Sequence, residues 1–222
     1  MSNSLVHNDD AVRITEIFYS LQGEARTVGL PTVFVRLTGC PLRCVYCDTA
    51  YAFSGGQLHS IEAIAEEVAS YAPRYVTVTG GEPLAQKSCW PLLSRLCDDG
   101  YEVSLETGGA ISLREVDERV VKVLDLKTPA SGEVEVNDYS NIDRLTPQDQ
   151  VKFVICDRTD YEWARFKLDE YQLVGRVSDI LFSPSHGQVH GSELAQWILD
   201  DRLPVRMQLQ MHKILWNDEP GH

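Results

Sequence analysis

The chain has 222 residues, of which 43% are hydrophobic and 24% charged, and its formal net charge is −13. These proportions exclude disordered and fibrous classes, and the length suits one core, so a single domain over residues 1–222 is expected. The acidic balance argues against direct nucleic-acid binding and against an anionic membrane surface, since either needs clustered Lys and Arg.

The N-terminal stretch MSNSLVHNDDAVRITE has neither a basic start nor an apolar run, and no segment approaches the roughly 20 apolar residues that span a bilayer. A cytoplasmic protein is expected, with its six cysteines reduced rather than paired. Next come Gln22 and Gly23, which read as a turn between two strands, and then the apolar run TVFVRLTG (32–39). Similar β-branched runs follow at 75–80, 101–107, 120–127, 150–156, 178–183 and 205–212, and their near-continuous apolar character suits buried parallel strands.

Helical periodicity lies between them. SIEAIAEEVASYA has Ser60 as its N-cap with Ile61, Ile64, Ala65 and Val68 on one face, and the segments at 159–171 and 192–201 keep the same period. Residues 108–119 and 128–149 read as loops with room for a short helix each. Alternation of strand and helix makes the class α/β. Cys89, Cys97 and Cys156 sit among apolar neighbours and read as small buried hydrophobes.

Five strand ends carry polar or glycine-rich residues: TGGEP (79–83), ETGG (106–109), DLKTP (125–129), SPSH (183–186) and MHK (211–213). In parallel α/β sheets the carboxyl ends of the strands form the active face, so these segments should converge on one cleft. Arg36 is a lone cation in an apolar strand, and a buried guanidinium must face a carboxylate, either of the protein or of a ligand.

CPLRCVYC places Cys40, Cys44 and Cys47 within eight residues. A closed zinc site wants four ligands, and a dithiol redox motif has no use for a third thiol. Three thiolates on a [4Fe-4S] cluster leave one iron open to a ligand. With Tyr46 inside the triplet and TGGEP after the next strand, the pattern resembles the radical S-adenosylmethionine superfamily. FYSLQGEARTVGLPTVFVRLTGCPLRCVYCDT (18–49), TVTGGEPL and QLQMHKILW narrow the resemblance to the 7-carboxy-7-deazaguanine synthase family, over about residues 14–216.

The resemblance implies a partial parallel β/α barrel and ring contraction of 6-carboxy-5,6,7,8-tetrahydropterin to 7-carboxy-7-deazaguanine with loss of ammonia, in queuosine biosynthesis. It implies a [4Fe-4S] cluster on Cys40, Cys44 and Cys47, S-adenosylmethionine and Mg²⁺, with Thr49 at the magnesium position. An electron donor such as flavodoxin or ferredoxin and a homodimer are implied as well. Leu21, Gln22, Gly23, Glu24, Arg36, Thr79 and His212 fall at pterin positions, with Leu21 acting through its backbone and His212 either in contact or packing behind.

Gly80, Gly81 and Glu82 fall on the methionine side, where glycine lets backbone approach and a carboxylate can accept from an ammonium. Glu106 falls at a ribose hydroxyl, Lys127 at the methionine carboxylate, and Asp125, Leu126, Ser183, Pro184, Ser185 and His186 where the later strands of the family meet the nucleoside and methionine groups. Two departures are visible: many relatives read Ser-Pro-Lys where this chain has Asp125-Leu126-Lys127, and Ala25 replaces a glycine. Two rival readings are an activase of glycyl-radical enzymes, which shares the cluster motif, and a zinc-stabilised interaction module.

Overall fold

The structure, a computed structural model, describes residues 11–217, 219 and 221. Most of the N-terminal stretch read for an export signal therefore lies outside the described residues. Among the described residues nine strands form one sheet in the order β3-β1-β2-β4-β5-β6-β7-β8-β9. They are β1 (Ala11–Leu21), β2 (Pro31–Leu37), β3 (Gln57–Ser60), β4 (Tyr75–Gly80), β5 (Glu102–Thr107), β6 (Val121–Asp125), β7 (Gln150–Ile155), β8 (Asp179–Pro184) and β9 (Arg206–Met207).

From β2 to β9 every neighbouring pair is parallel, whereas β1 runs antiparallel to both β2 and β3. The sheet is open, which agrees with the partial barrel expected. The helices are α1 (Ile61–Ser70), α2 (Cys89–Asp98), α3 (Arg158–Glu170), α4 (Gly191–Asp200) and α5 (Met211–Trp216). Among the described residues no helix is long and apolar enough to cross a membrane.

Side-chain alternation along each strand decides which residues reach the site. Val33, Val35 and Leu37 of β2, Val76 and Val78 of β4, and Val103 and Leu105 of β5 pack with Ile64 of α1 and Leu92 of α2 into one core cluster. Val151, Phe153 and Ile155 of β7 and Phe182 of β8 pack with Tyr161 of α3 and Leu194 of α4 into a second. The intervening positions point to the opposite face: Phe34 and Arg36, Thr79, Glu106, Val123 and Asp125, Lys152 and Val154 all line one cavity.

Ser60 caps α1 as expected, its hydroxyl accepting from the Ala63 N–H at 3.2 Å. Several segments differ from the sequence expectation, strand β3 among them. The run 205–212 is strand only at Arg206–Met207, because Met211 to Trp216 turns into α5, so His212 and Lys213 lie on a helix instead of a strand end. Cys89 opens the unpredicted helix α2, whose Leu92, Leu93 and Leu96 are fully buried. Residues 128–149 hold three short 3-10 turns, at Pro129–Ser131, Val134–Val136 and Tyr139–Arg144.

Candidate active site

The cavity has a volume of about 550 Å³ and opens at the carboxyl ends of the parallel strands. Cys40, Cys44 and Cys47 form part of its wall, on a loop that leaves β2 through Gly39 at φ +99°. The loop is irregular, so its backbone groups are satisfied from several sides. Gly39 N–H donates to the Ala52 carbonyl at 2.8 Å, Glu82 N–H to the Gly39 carbonyl at 2.8 Å, and Val45 N–H to the Ser131 carbonyl at 2.9 Å. Arg43 stacks its guanidinium 4.3 Å from the Phe53 ring centre, and its own N–H donates to Glu133.

The glycines beside this loop are required by contact. A Cβ on Gly80 would lie 2.3 Å from the Leu37 carbonyl oxygen, and one on Gly81 would lie 2.4 Å from the Gly39 oxygen and 2.7 Å from the Cys40 Cβ. Any other residue there would push the cysteine loop away from β4. All three thiols are free of disulfides. Burial raises the Cys40 thiol and pushes Cys44 up to about 11, so a thiolate here calls for a positive partner such as iron.

Among the described residues no three His, Cys, Asp or Glu side chains converge closely enough to hold a single metal ion. Three thiols along one wall are a donor set that would hold a cluster at three irons, whereas a closed zinc site wants four ligands.

Glu82, fully buried, ties the ends of β4 and β5 together. Its carboxylate accepts from the Thr107 hydroxyl at 2.9 Å, the Gly108 N–H at 2.8 Å and the Leu84 N–H at 3.1 Å. Burial outweighs these donors and raises its pKa.

The Leu21–Glu24 segment, Thr79 and Arg36 meet on the other side. Gln22 donates to Thr77 at 3.1 Å and to Glu106 at 3.3 Å, while its own carbonyl accepts from Glu24 N–H at 3.1 Å. Thr79 donates to the other Glu106 oxygen at 3.2 Å, so Glu106 stands with the residues assigned to the pterin as much as beside a ribose. Loss of water and the Glu24 charge raise the Glu106 carboxyl. Arg36 pairs through Nε with Glu16 at 2.6 Å, the protein partner considered as the alternative to a ligand, and its guanidinium still faces the cavity near Phe18 and Tyr51.

Ala25 takes φ +61°, the left-handed conformation that glycine adopts freely. Gln208 holds it there, accepting from Ala25 N–H at 2.7 Å and donating to its carbonyl at 2.8 Å. Replacement of the glycine thus leaves a glycine-like backbone.

Lys127 pairs with Asp125 at 3.0 Å, and Asp125 Oδ1 is buried without a hydrogen-bond partner. Ser185 and His186 line the cavity. Leu126, Ser183 and Pro184 are buried and lie off its lining. Thr49 precedes a 3-10 turn at Ala50–Phe53 without capping it; its hydroxyl donates to Asp48 at 2.8 Å. Asp48 pairs with Lys213 at 2.8 Å, which outweighs burial and holds its carboxyl below the usual range.

Lys152 and Gln210 were missed from sequence. Lys152 touches Glu24, and Gln210 donates to the other Glu24 oxygen at 2.6 Å. Burial alone would raise Glu24, but the Lys152 charge and hydrogen bond lower it. The signal for Lys152 was present in QVKFVIC, a lone cation in an apolar strand, the same reasoning that singled out Arg36.

The family model of the Radical SAM superfamily matches residues 34–162. A 7-carboxy-7-deazaguanine synthase from Koribacter versatilis (strain Ellin345) is 46% identical, over 94% of this chain and 98% of that protein. One from Chlorobaculum tepidum is 44% identical, over 94% and 96%. The crystal structure of QueE from Escherichia coli superposes with a TM-score of 0.76 over 91% of this chain and 95% of that one, at 23% identity, which speaks for the fold. The chain belongs to the radical SAM superfamily and, within it, to the 7-carboxy-7-deazaguanine synthase family.

Proposed function

We propose that the chain contracts the ring of 6-carboxy-5,6,7,8-tetrahydropterin to 7-carboxy-7-deazaguanine with loss of ammonia, as a lyase of queuosine biosynthesis. The observation that carries this reading is the meeting, in one cavity, of the three-cysteine loop, the glycine ends of β4 and the Gln22–Glu24–Arg36 group. When bound, a [4Fe-4S] cluster with S-adenosylmethionine supplies hydrogen-atom abstraction through one-electron cleavage of the sulfonium.

The chain's own part is holding, orienting and excluding water. Cys40, Cys44 and Cys47 hold the cluster. Gly80 and Gly81 let the methionine portion lie against backbone, and Glu82, Lys127, Ser185 and His186 surround it. On the pterin side, Gln22 and Glu24 meet the donor–acceptor edge of the flat heterocycle, with Leu21, Gly23 and Thr79 closing the contact. Arg36 receives the substrate carboxylate beside Glu16, and His212 packs from α5.

Thr49, beside Asp48, is the magnesium position we propose, since Mg²⁺ keeps several waters and borrows few protein oxygens. The same reading includes one domain, a cytoplasmic homodimer and a small one-electron donor such as flavodoxin or ferredoxin. The test is anaerobic reconstitution followed by incubation with the carboxytetrahydropterin, S-adenosylmethionine and reductant. A 7-carboxy-7-deazaguanine product identified by mass supports the reading. A brown, iron- and sulfide-bearing protein that cleaves S-adenosylmethionine without this product favours an activase, and a colourless zinc protein favours an interaction module.

A further inference from the structure

Asp125 and Lys152 are register partners on the adjacent parallel strands β6 and β7, both with side chains on the cavity face. The Lys152 side chain is only 12% exposed, and its ammonium contacts the Glu24 carboxylate while lying 3.8 Å from Asp125 Oδ2. That same Asp125 oxygen is 3.0 Å from Lys127 Nζ. Glu24, Lys152, Asp125 and Lys127 therefore make a row of alternating charges across the cavity floor.

Its two ends belong to different ligands on the reading above, on which this inference rests. Glu24 is joined to Gln22 and Gln210 in the pterin group. Lys127 lies 5.9 Å from the Tyr46 ring centre, inside the cysteine motif. A desolvated ammonium between two carboxylates sits where their attraction balances, so a change in charge at one carboxylate moves its hold on the other. Asp125 Oδ1, buried with no partner, is the open acceptor in this row. A donor from the S-adenosylmethionine side that meets it draws Asp125 away from Lys152 and leaves the ammonium to Glu24.

We propose that Lys152 is a positioning residue that fixes Glu24 for the pterin and, through Asp125, couples pterin binding to S-adenosylmethionine binding. The coupling is positive: each ligand tightens the other, and by the same factor. A residue that merely stapled the Glu24 loop to β7 would affect stability and pterin affinity but would leave no such linkage.

The test uses anaerobically reconstituted holoenzyme without reductant, so that nothing turns over, and measures the pterin dissociation constant calorimetrically with and without saturating S-adenosylmethionine. The parent should bind pterin about 5-fold or more tightly with S-adenosylmethionine present, within the usual range of coupling between sites. Lys152→Met should weaken pterin binding about 10-fold and bring the ratio near one; Lys152→Arg should restore both in part. Asp125→Asn, which leaves the Lys152–Glu24 contact in place, should also bring the ratio near one and serves if Lys152→Met does not fold. A ratio near one in the parent, or a parent-like ratio in Lys152→Met and Asp125→Asn, overturns the coupling, and unchanged pterin affinity in Lys152→Met overturns the positioning role. A parent that binds S-adenosylmethionine but no pterin overturns the pterin reading itself.

Discussion

Gly23 and His212 touch so closely that a Cβ on Gly23 would stand 2.5 Å from the imidazole Nδ1. The Gly23 carbonyl also accepts from Met211 N–H at 3.0 Å, so the β1–β2 connection and the start of α5 form one wall of the cavity. Gly23→Ala should cost about 1–3 kcal/mol through overpacking and displace His212. Its signature is a lower urea midpoint together with a raised KM for the pterin. A variant with parent-like midpoint and KM would show that α5 yields without consequence.

Ala25 offers the opposite case. Its left-handed φ of +61° is strained for a residue with a Cβ, and Gln208 maintains it. Ala25→Gly should raise stability by about 0.5 kcal/mol, the relief of strain exceeding the added freedom of the unfolded chain. Chemical denaturation of the two proteins side by side checks the sign.

Arg36 serves Glu16 and the cavity together. A lysine in its place keeps the charge but loses the planar fork, so Arg36→Lys should raise the pterin KM about 10-fold or more while kcat falls less. Equal loss in kcat with KM unchanged would place Arg36 away from the substrate carboxylate.

Glu106 gives a pH dependence. Its folded-state pKa is raised above the ordinary 4.5, first by loss of water and then by the Glu24 charge. The contribution to stability is fully present below about pH 4.5 and is lost as the pH rises through the elevated folded value. Glu106→Gln does not titrate. Its stability relative to the parent should therefore grow as the pH is raised from about 4.5 upward. Melting temperatures across that range decide it, and a constant gap would contradict the assignment.

Cys44→Ala tests the cluster loop. The loop is held by backbone hydrogen bonds that it donates to the Ala52 and Ser131 carbonyls and accepts from the Glu82 N–H, none of which uses the Cys44 thiol. Apoprotein stability should change by less than about 1 kcal/mol, as for a substitution outside the core. Reconstitution should lose the iron–sulfur absorbance and S-adenosylmethionine cleavage together.

Local order was readable wherever one periodicity dominated. The apolar runs at 32–39, 75–80 and 150–156 became strands β2, β4 and β7, and Ser60 capped α1, because alternation and capping act over a few residues. The run at 205–212 failed as a strand after Met207, since Met211 and His212 are claimed by the contact with Gly23, a partner far away in the chain. Helix α2 was obscured by the two cysteines in it, which pack as apolar residues.

The cysteine spacing, the glycines after β4 and the QGE motif were enough to carry the resemblance to the family that the comparisons show, because bonding to a cluster and close backbone approach are demands on residue type and short spacing. What the linear chain could not reveal was which charges meet. Arg36 with Glu16, Lys152 with Glu24 and Asp125, and Asp48 with Lys213 are pairings made by strand order, register and the turn into α5. Coulomb attraction depends on distance in space, and only the assembled sheet brings those groups within reach.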